Sequence, residues 1–498
     1  MKKPLDVVNI IESDLDVENW QYEDTHIWPL YRFYIHTKLR ASKAAFQNLF
    51  FIKLRRIINS LLSFRSVFKT ILALRKIPNI DVVFLSNSSF KRFKKENKWV
   101  DPYVHPVAKS LHKLDLRYQI LETDLIKNNK NTNYISSINI DDLVNFIYFF
   151  IAPFFLIWSS IIHKIQINNF FSNQINQVLK INDINLQVPE DIFFIKQLAN
   201  LKAKSFIFRL ILKRLKPRFG VITGYGSQEG LSFCLACSAL GIKSIELQHG
   251  GISEEMPRYG RWFKVPENGY QVLPNLFWCW DENDHNFIHK WAKDCNKHDV
   301  KMGGNLFINN YKNYLDNNAL LKNDKLSKIA KNHKKFVLFA LQAEEWQPEW
   351  LLEEILNQDS DILWGFRFHP SYFDKTREDR IKNKFNERGL SNYDFNLVND
   401  PSINILNCID LSDAVISAFS SSLLESTMLK KHTAIIHKEG LEHYKQYIDQ
   451  QKINEACNPS SFNKFICDLI NDKLLIKESF EEKNKDEIEL LKEVFSDS

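Results

Sequence analysis

Short apolar runs that end in polar turns recur through the first half of the chain. Strands that are covered on both faces lose the alternation of apolar and polar residues, so such runs predict the buried strands of a parallel sheet. They span residues 81–87, 118–122, 219–223, 243–247 and 277–280. Helix-like segments separate the runs, and this alternation predicts a doubly wound α/β domain.

A second series of the same kind begins after Gly303 and Gly304, where we expect the chain to cross between domains. Its apolar runs span residues 336–341, 362–367, 414–417 and 433–436, with a helical pattern at 350–356. The predicted fold class is therefore α/β, with two doubly wound, Rossmann-like domains that face a cleft.

The same pattern predicts the domain boundaries. The acidic and polar residues 1–24 are expected to be only partly ordered. The predicted regions are a basic helical N-terminal region (1–80), a first Rossmann-like domain (81–300) with a helical insertion around 141–218, a second Rossmann-like domain (301–460), and C-terminal helices (461–498).

Residues 28–76 combine a helical apolar pattern with an unbalanced charge. Between residues 25 and 80 there are 11 Lys and Arg residues and no Asp or Glu. An anionic membrane surface attracts a basic amphipathic helix, and the structural alternative is a helix packed on its own domain with a solvated basic side. The apolar positions on one face are Phe50, Leu54, Ile57, Ile58 and Leu61, flanked by Lys53, Arg55, Arg56 and Arg65.

Residues 144–162 are almost wholly apolar, and their number approaches the ~20 residues that a membrane-spanning helix needs. Pro153 lies at the centre of this segment, and Asn145, Ser159 and Ser160 dilute its apolar character. We therefore expect a helix that lies in the membrane interface or packs within the protein, in preference to a helix that spans the bilayer.

Composition narrows the class of protein. The 498 residues are 44% hydrophobic and 25% charged, as in a folded globular protein, and the net charge of +6 gives little support for a nucleic-acid partner. Seven cysteines without a regular framework predict a reducing compartment. Because the N-terminus also lacks the apolar core of a signal peptide, we expect a cytoplasmic protein.

Two motifs have the spacing of metal ligands. Cys234 and Cys237 form a CxxC inside an apolar helical run with no second pair, which favours buried thiols. His285 and His289 stand four apart on a predicted helix without a third ligand, which favours a solvated helix face. Neither a GxGxxG nor a P-loop sequence occurs, and we predict neither a metal nor a cofactor.

Three polar clusters each follow a predicted strand. Consecutive serines at a helix start present hydroxyls and unpaired N–H groups together, an arrangement that suits a phosphate. Glu425, in the first turn of that helix, would close a capping box or accept a hydrogen bond from a sugar hydroxyl. The clusters are Gln248-His249-Gly250, Arg367-Phe368-His369-Pro370, and Ser420-Ser421-Ser422 with Glu425.

A nucleotide-activated donor gives these clusters a common purpose. Its phosphate leaving group gains charge as the bond to the sugar breaks, and without a metal ion cationic side chains and hydroxyls must meet that charge. The acceptor hydroxyl also needs a base. The donor-side candidates are Arg367, His369, the three serines, Glu425 and Gln342; the base candidates are His249 and Glu229; and the remaining acceptor-side loop residues are Tyr225, Gln248 and Gly250.

The order of His-Gly, His-Pro and Ser-Ser with a Glu resembles the metal-independent bacterial transferases of the two-domain glycosyltransferase B fold. It is similar in particular to the CDP-glycerol glycerophosphotransferases and to capsule polymerases such as polysialyltransferases and Kdo transferases. The resemblance covers roughly residues 215–445. It implies that His369 and the serines at 420–422 bind the nucleotide phosphates. Polysialyltransferase-like members carry an acidic pair before Gly, whereas Gln228-Glu229-Gly230 keeps one acid, so the choice between Glu229 and His249 as base stays open.

The resemblance implies a peripheral membrane enzyme on the cytoplasmic side that builds a bacterial surface polysaccharide. Its expected partners are a CMP-, CDP- or UDP-linked donor in domain 301–460, a glycan or lipid-linked acceptor in domain 81–300, and an anionic membrane surface. Two alternatives remain. A sugar-nucleotide 2-epimerase shares this architecture and needs no membrane affinity, and a non-catalytic scaffold of a glycan-assembly complex would bind no nucleotide.

Overall fold

The computed structural model is organised around two parallel sheets, each covered by helices on both faces. It describes residues 3–40, 64–123, 134–166, 169–314, 317–342, 348–358, 361–369, 374–476 and 487–495. The basic positions and the apolar face predicted between residues 50 and 61 lie outside these described residues.

The first sheet contains seven strands, and all of its pairings are parallel. The strands Phe219–Thr223 and Lys243–Leu247 have the predicted bounds, and each is buried along almost its whole length and closed by glycine or a polar turn. In spatial order the strands are Asp299–Met302, Leu276–Cys279, Lys243–Leu247, Phe219–Thr223, Val82–Asn87, Tyr118–Thr123 and Ser137–Asn139.

The second sheet contains six parallel strands. Its central strands are buried along almost their whole length, and together the two sheets confirm the predicted fold class. The short edge strands were not predicted, because two to four residues with polar side chains carry no strand pattern. In spatial order the strands are Tyr393–Asp394, Ile362–Arg367, Lys335–Ala340, Ala414–Ser417, His432–Ile435 and Asn454–Glu455.

The α-helices fill the connections between strands and build the N-terminal and C-terminal additions. In the first part of the chain they are Pro4–Asp14, Trp28–Arg40, Phe64–Lys76, Val104–Ser110, Asp141–Gln166, Phe170–Ile181, Asp191–Leu215, Gln228–Leu240 and Glu282–Ala292. In the second part they are Leu306–Asn310, Asn317–Lys331, Glu349–Leu356, Lys375–Glu387, Ile405–Leu411, Ser422–Met428, Lys438–His443, Lys445–Asp449, Pro459–Ile470 and Glu487–Phe495.

The expectation of partial order for residues 1–24 is wrong. Helix Pro4–Asp14 buries an apolar face that includes Leu5, Val8 and Ile11 in the core of the first domain. Glu12 is also fully buried, and it forms an ion pair with Arg32. The amphipathic pattern is hard to recognise in the sequence because it includes acidic residues such as Glu12. The charge of Glu12 is balanced by Arg32, which lies outside the helix.

Two further short elements connect the domains. A hairpin formed by Phe93–Lys95 and Lys98–Val100 extends from the first domain, and the Lys94 N–H donates to the Pro401 carbonyl of the second at 3.0 Å. At its far end the chain returns to the first domain, where helix Glu487–Phe495 packs under the sheet and Phe495 meets the Phe219 ring at 5.4 Å. The domains are therefore joined by more than the crossing near residue 303.

Candidate active site

A cavity of about 190 Å³ lies where the first domain's hairpin meets the carboxyl ends of the second sheet. Ligands of doubly wound folds bind at this end of a sheet. The walls bring together donor-side residues predicted from three separate segments with others that were not predicted. The cavity is lined by Arg92, Phe93, Pro102, Tyr103, Asn305, Phe307, Ala340, Leu341, Gln342, Arg367, Phe368, His369, Asn404, Ile405, Phe419, Ser420, Ser421, Ser422 and Glu425.

The serine turn forms one wall. Strand Ala414–Ser417 leads into it, and helix Ser422–Met428 begins directly after it. The expected capping box is absent from this turn, because neither Ser421 nor Glu425 caps the helix with its side chain. Instead the Ser422 Oγ atom is buried with no hydrogen-bond partner among the described residues. A buried hydroxyl in this state costs free energy unless a ligand or water meets it.

Glu425 lies at the back of the cavity with only 8% of its surface exposed. Burial raises the pKa of its carboxyl to about 7, although the nearby charges of Arg92 and Arg367 oppose the shift. Near neutral pH the group therefore exists in both protonation states. In its protonated form it is a hydrogen-bond donor, and in its ionised form it repels an anion.

Arg92 supplies a cation from the first domain. The hairpin that follows it is held on the second domain through Phe93, whose ring meets Phe307 at 5.4 Å. The Arg92 guanidinium hydrogen-bonds the Tyr103 hydroxyl and lies 6.0 Å from the centre of the Phe90 ring. Among the described residues no carboxylate lies within 4.0 Å of this guanidinium, so its charge faces the cavity without an ion-pair partner.

Arg367 lines the cavity as predicted, but its guanidinium is already engaged. It donates to the Val398 carbonyl and, at 3.1 Å, to the Ile403 carbonyl. These bonds hold the loop that carries Asn404, whose Oδ1 caps helix Ile405–Leu411 by accepting from Asn407 N–H at 3.0 Å. The Nδ2 of Asn404 is buried without a partner among the described residues. Arg367 thus orders the wall, and Asn404 presents a free donor.

His369 and Gln342 complete the donor-side set. Burial, together with the charge of Arg92, lowers the pKa of His369 to about 4. The imidazole is therefore neutral at pH 7, so it offers one N–H donor and carries no positive charge. Gln342 extends from the end of strand Lys335–Ala340, and its Nε2 lies 3.4 Å from Ser417 Oγ. The net positive charge in this cavity comes from arginine.

The His249 loop stands beside the serine turn. A Cβ atom placed on Gly250 would lie 3.7 Å from the Ser421 Cβ, so the two loops are in contact across the domains. Burial and the charges of Arg92 and Arg258 lower the pKa of His249 to about 4. Its Nδ1 is buried and has no hydrogen-bond partner among the described residues. A neutral imidazole with an open nitrogen has the correct form to accept a proton.

Gln248 holds this loop in place and is not available to a ligand. Its Oε1 accepts from the Trp280 N–H at 2.6 Å, while its Nε2 donates to the Gly250 carbonyl at 2.8 Å and to the Asp284 carboxylate. The side chain is 4% exposed. Three bonds to a buried amide fix the backbone on both sides of His249.

Glu229 and Tyr225 lie elsewhere. The Glu229 carboxylate forms an ion pair with Lys204 of helix Asp191–Leu215 at 2.5 Å, and it does not line the cavity. Tyr225 is fully buried, and its hydroxyl donates to the Arg258 carbonyl at 2.6 Å. The donor-side residues therefore share the cavity and the His249 loop contacts the serine turn beside it, while His249, Glu229 and Tyr225 are not among the residues that line the cavity.

No group of three metal-ligating side chains occurs within the part of the chain that the structure describes. The rings of His285 and His289 stack at 5.5 Å on helix Glu282–Ala292, and Cys234 and Cys237 are buried free thiols.

Sequence reasoning missed Arg92, Tyr103 and Asn404. The basic character of residues 91–98 was visible, but nothing local distinguishes Arg92 from its lysine neighbours. Asn404 looks like an ordinary helix cap, which it also is. Their roles appear only in three dimensions. Arg92 presents a guanidinium that has no carboxylate partner among the described residues, and Asn404 presents an amide nitrogen that has no hydrogen-bond partner there.

No family model matches the sequence, and no curated protein sequence matches it. Solved structures with a similar arrangement include S. aureus MnaA, from a co-structure with UDP, at a TM-score of 0.47 and 12% identity over 79% of this chain and 89% of that chain. The UDP-GlcNAc 2-epimerase of Methanocaldococcus jannaschii in complex with UDP-GlcNAc and UDP has a TM-score of 0.47 and 11% identity, over 83% of this chain and 98% of that chain.

The wall teichoic acid polymerase TagF is also similar, with a TM-score of 0.41 and 11% identity over 90% of this chain and 93% of that chain. Similarity at these levels carries no inference about activity.

Proposed function

We propose that this protein transfers a sugar or a polyol phosphate from a nucleotide-activated donor to a glycan acceptor, without a metal ion. The observation that carries the proposal is the cavity wall, where Arg92 faces inward without a described carboxylate partner and the polar atoms of Asn404 and Ser422 are unpartnered. A cation, an amide donor and a hydroxyl around one space match a phosphate group, which carries charge and several acceptor oxygens.

The donor's phosphates lie, in this proposal, between Arg92 and the serine turn. Helix Ser422–Met428 is only 7 residues long, so its dipole adds little and the side chains provide most of the attraction. Asn404 Nδ2 would donate a hydrogen bond to a phosphate oxygen, and the neutral His369 lines the same space. When the bond to the sugar breaks, the electron pair stays with the phosphate oxygen, and Arg92 meets the added negative charge.

His249 is the base that the geometry favours. The neutral ring has an open nitrogen, and its loop contacts the serine turn, so an acceptor hydroxyl between them could give its proton to His249 as it attacks the donor. Glu229, the other candidate, is ion-paired with Lys204 and does not line the cavity.

The proposed acceptor is a surface glycan that is linked to lipid at the inner face of the membrane. Support comes from the long apolar helix Asp141–Gln166, on which Phe149, Phe150, Phe154 and Trp158 are exposed. Of the described residues, one helical segment, Asp141–Ile161, is long and apolar enough to cross a membrane.

The test is to incubate the protein with CMP-, CDP- and UDP-linked donors, with and without a lipid-linked glycan fraction, and to follow both free nucleotide and the sugar product. Release of nucleotide that depends on the acceptor, and that falls by roughly 10²-fold or more in His249→Ala, is the expected result. Glu387→Gln, at an exposed carboxyl of the second domain, is the matched control.

Two results would overturn the transferase. An isomerised nucleotide sugar without transfer would identify a 2-epimerase, and the absence of both turnover and nucleotide binding would identify a scaffold.

A further inference from the structure

Three neighbouring helices of the first domain expose one connected set of large apolar side chains. On helix Asp141–Gln166, Phe154, Ile157 and Trp158 are 74%, 60% and 61% exposed. They recur at the three- and four-residue spacing that puts them on one helix face. A soluble domain seldom leaves such large groups in water unless a partner covers them.

The other two helices extend this face on either side. Phe64 of helix Phe64–Lys76 is 63% exposed, and its ring meets Phe146 of the long helix at 6.3 Å. Phe206 of helix Asp191–Leu215 meets Phe155 at 6.4 Å and is likewise exposed. We call the exposed side of these three helices the apolar platform.

The exposed charges on the two flanking helices are basic, whereas the long helix carries Asp141 and Asp142 in its first turn. Helix Phe64–Lys76 carries the exposed Arg65 and Lys69 beside its apolar face, and it contains no acidic residue. Residues 192–215, in the helix on the other side, also lack Asp and Glu, and Lys213 and Arg214 are exposed near its end. Basic side chains that border apolar aromatic ones are suited to the anionic headgroups and acyl chains of a bilayer.

The long helix is fixed to the protein along its opposite side. The Tyr22 hydroxyl donates to the Ser159 carbonyl at 2.8 Å, and the Tyr148 hydroxyl donates to Asn200 Oδ1 at 2.5 Å. Close by, the buried ion pair of Lys204 and Glu229 lies under the Tyr148 ring. A helix that spanned the bilayer would carry these polar groups into hydrocarbon, which is costly.

We infer that the apolar platform is a docking surface on which the protein lies flat against an anionic lipid bilayer, with helix Asp141–Gln166 parallel to the membrane plane. The inference deepens the proposed function and rests on it for its purpose, because a lipid-linked acceptor must be reached from the membrane. A second copy of the chain is a poorer occupant, since the basic borders of two platforms would repel each other.

The experiment is flotation of the full chain with vesicles of phosphatidylcholine alone and with about 30% phosphatidylglycerol. The variant Phe154→Gln/Trp158→Gln removes two exposed rings, so its folding is unaffected, and Leu321→Gln, at a 62% exposed leucine of the second domain, is the matched control. A third variant, Arg65→Gln/Lys69→Gln, tests the basic border.

Wild type and Leu321→Gln should bind the anionic vesicles and bind the neutral ones weakly. Loss of the two rings should reduce partitioning by roughly tenfold or more. Each charge removed should reduce it by about fivefold, on anionic vesicles only.

Any of four outcomes would overturn the docking surface. The first three are no binding to either vesicle, equal binding by all variants, and a wild-type dimer in light scattering that becomes a monomer in Phe154→Gln/Trp158→Gln. Binding that resists an alkaline carbonate wash would replace docking with a spanning helix and would also overturn it.

Calorimetric titration of the same variants with UDP and CDP separates the two proposals. Nucleotide binding unchanged by the platform variants, together with lost vesicle binding, supports docking. Vesicle binding in a protein that binds no nucleotide would leave the docking surface standing and remove the proposed function.

Discussion

Replacing Glu425 with Gln should abolish a pH dependence of donor affinity that the wild-type protein possesses. The carboxyl lies in the same cavity as the proposed phosphate site, and burial raises its pKa from 4.5 to about 7. An ionised carboxylate beside a diphosphate is a like-charge contact in a partly dehydrated space, so the donor should bind to the protonated form. Gln keeps the shape and the hydrogen-bonding capacity while removing the charge.

The magnitude follows from the titration. With a pKa of about 7, roughly a tenth of the Glu425 carboxyl is ionised at pH 6 and about nine-tenths at pH 8. If only the protonated form binds, wild-type affinity falls about tenfold between these pH values, or about 1.4 kcal/mol. Glu425→Gln should match the wild-type affinity at pH 6 and keep it at pH 8.

The assay is a calorimetric titration at pH 6, 7 and 8 with a nucleoside diphosphate sugar. The esterified phosphates of this ligand do not titrate in this range, whereas the terminal phosphate of a free nucleotide has a second pKa near 6. Glu387→Gln is the control, since that carboxyl is exposed at the end of helix Lys375–Glu387. A wild-type affinity that does not change with pH would show that the charge of Glu425 does not affect donor binding. An affinity that rises with pH would instead mean that the ionised Glu425 accepts a hydrogen bond from the sugar.

Three further variants test other parts of the account. Arg92→Gln should weaken nucleotide binding about tenfold or more in calorimetry, because it removes a charge-assisted contact. Lys94→Gln, on the same hairpin, should leave the affinity unchanged. Equal effects of the two variants would contradict the assigned role of Arg92. Asn404→Asp keeps the helix cap but replaces the amide donor with a negative charge. The midpoint of thermal unfolding should therefore be nearly unchanged, while nucleotide binding should be lost. Retained binding would exclude Asn404 from the site. Tyr447→Phe removes a buried 2.6 Å hydrogen bond to Asp281 that joins the two domains. The free energy of unfolding measured in urea should fall by about 1–3 kcal/mol. An unchanged midpoint would show that this contact contributes nothing to stability.

The two sheets were predictable because their central strands are continuous apolar runs. Strand Ala414–Ser417 is completely buried and has the predicted bounds. Edge strands such as Asn454–Glu455 carry no such pattern, since pairing on one side only requires little apolar character. Helix Pro4–Asp14 was missed for a different reason: the partner that neutralises its Glu12 is 20 residues away along the chain.

The serine turn and His369 could be found from the sequence because each follows a strand of the second sheet. Arg92 could not, since tertiary contacts such as the packing of Phe93 against Phe307 bring its hairpin to that sheet. The charge states were equally out of reach. A neutral His369 and a carboxyl titrating near pH 7 depend on burial, which no local pattern reveals.

The central claim is that the cavity beside Ser422 holds the phosphates of a nucleotide. Calorimetric titration of the full chain with CMP, CDP and UDP at pH 6.5, in parallel with Arg92→Gln and Asn404→Asp, tests it most directly. The account predicts that wild type binds at least one of the three with a stoichiometry of about one and that both variants bind it about tenfold or more weakly. Absence of binding to all three nucleotides, or binding that neither variant reduces, would show that this cavity does not hold the phosphates of a nucleotide.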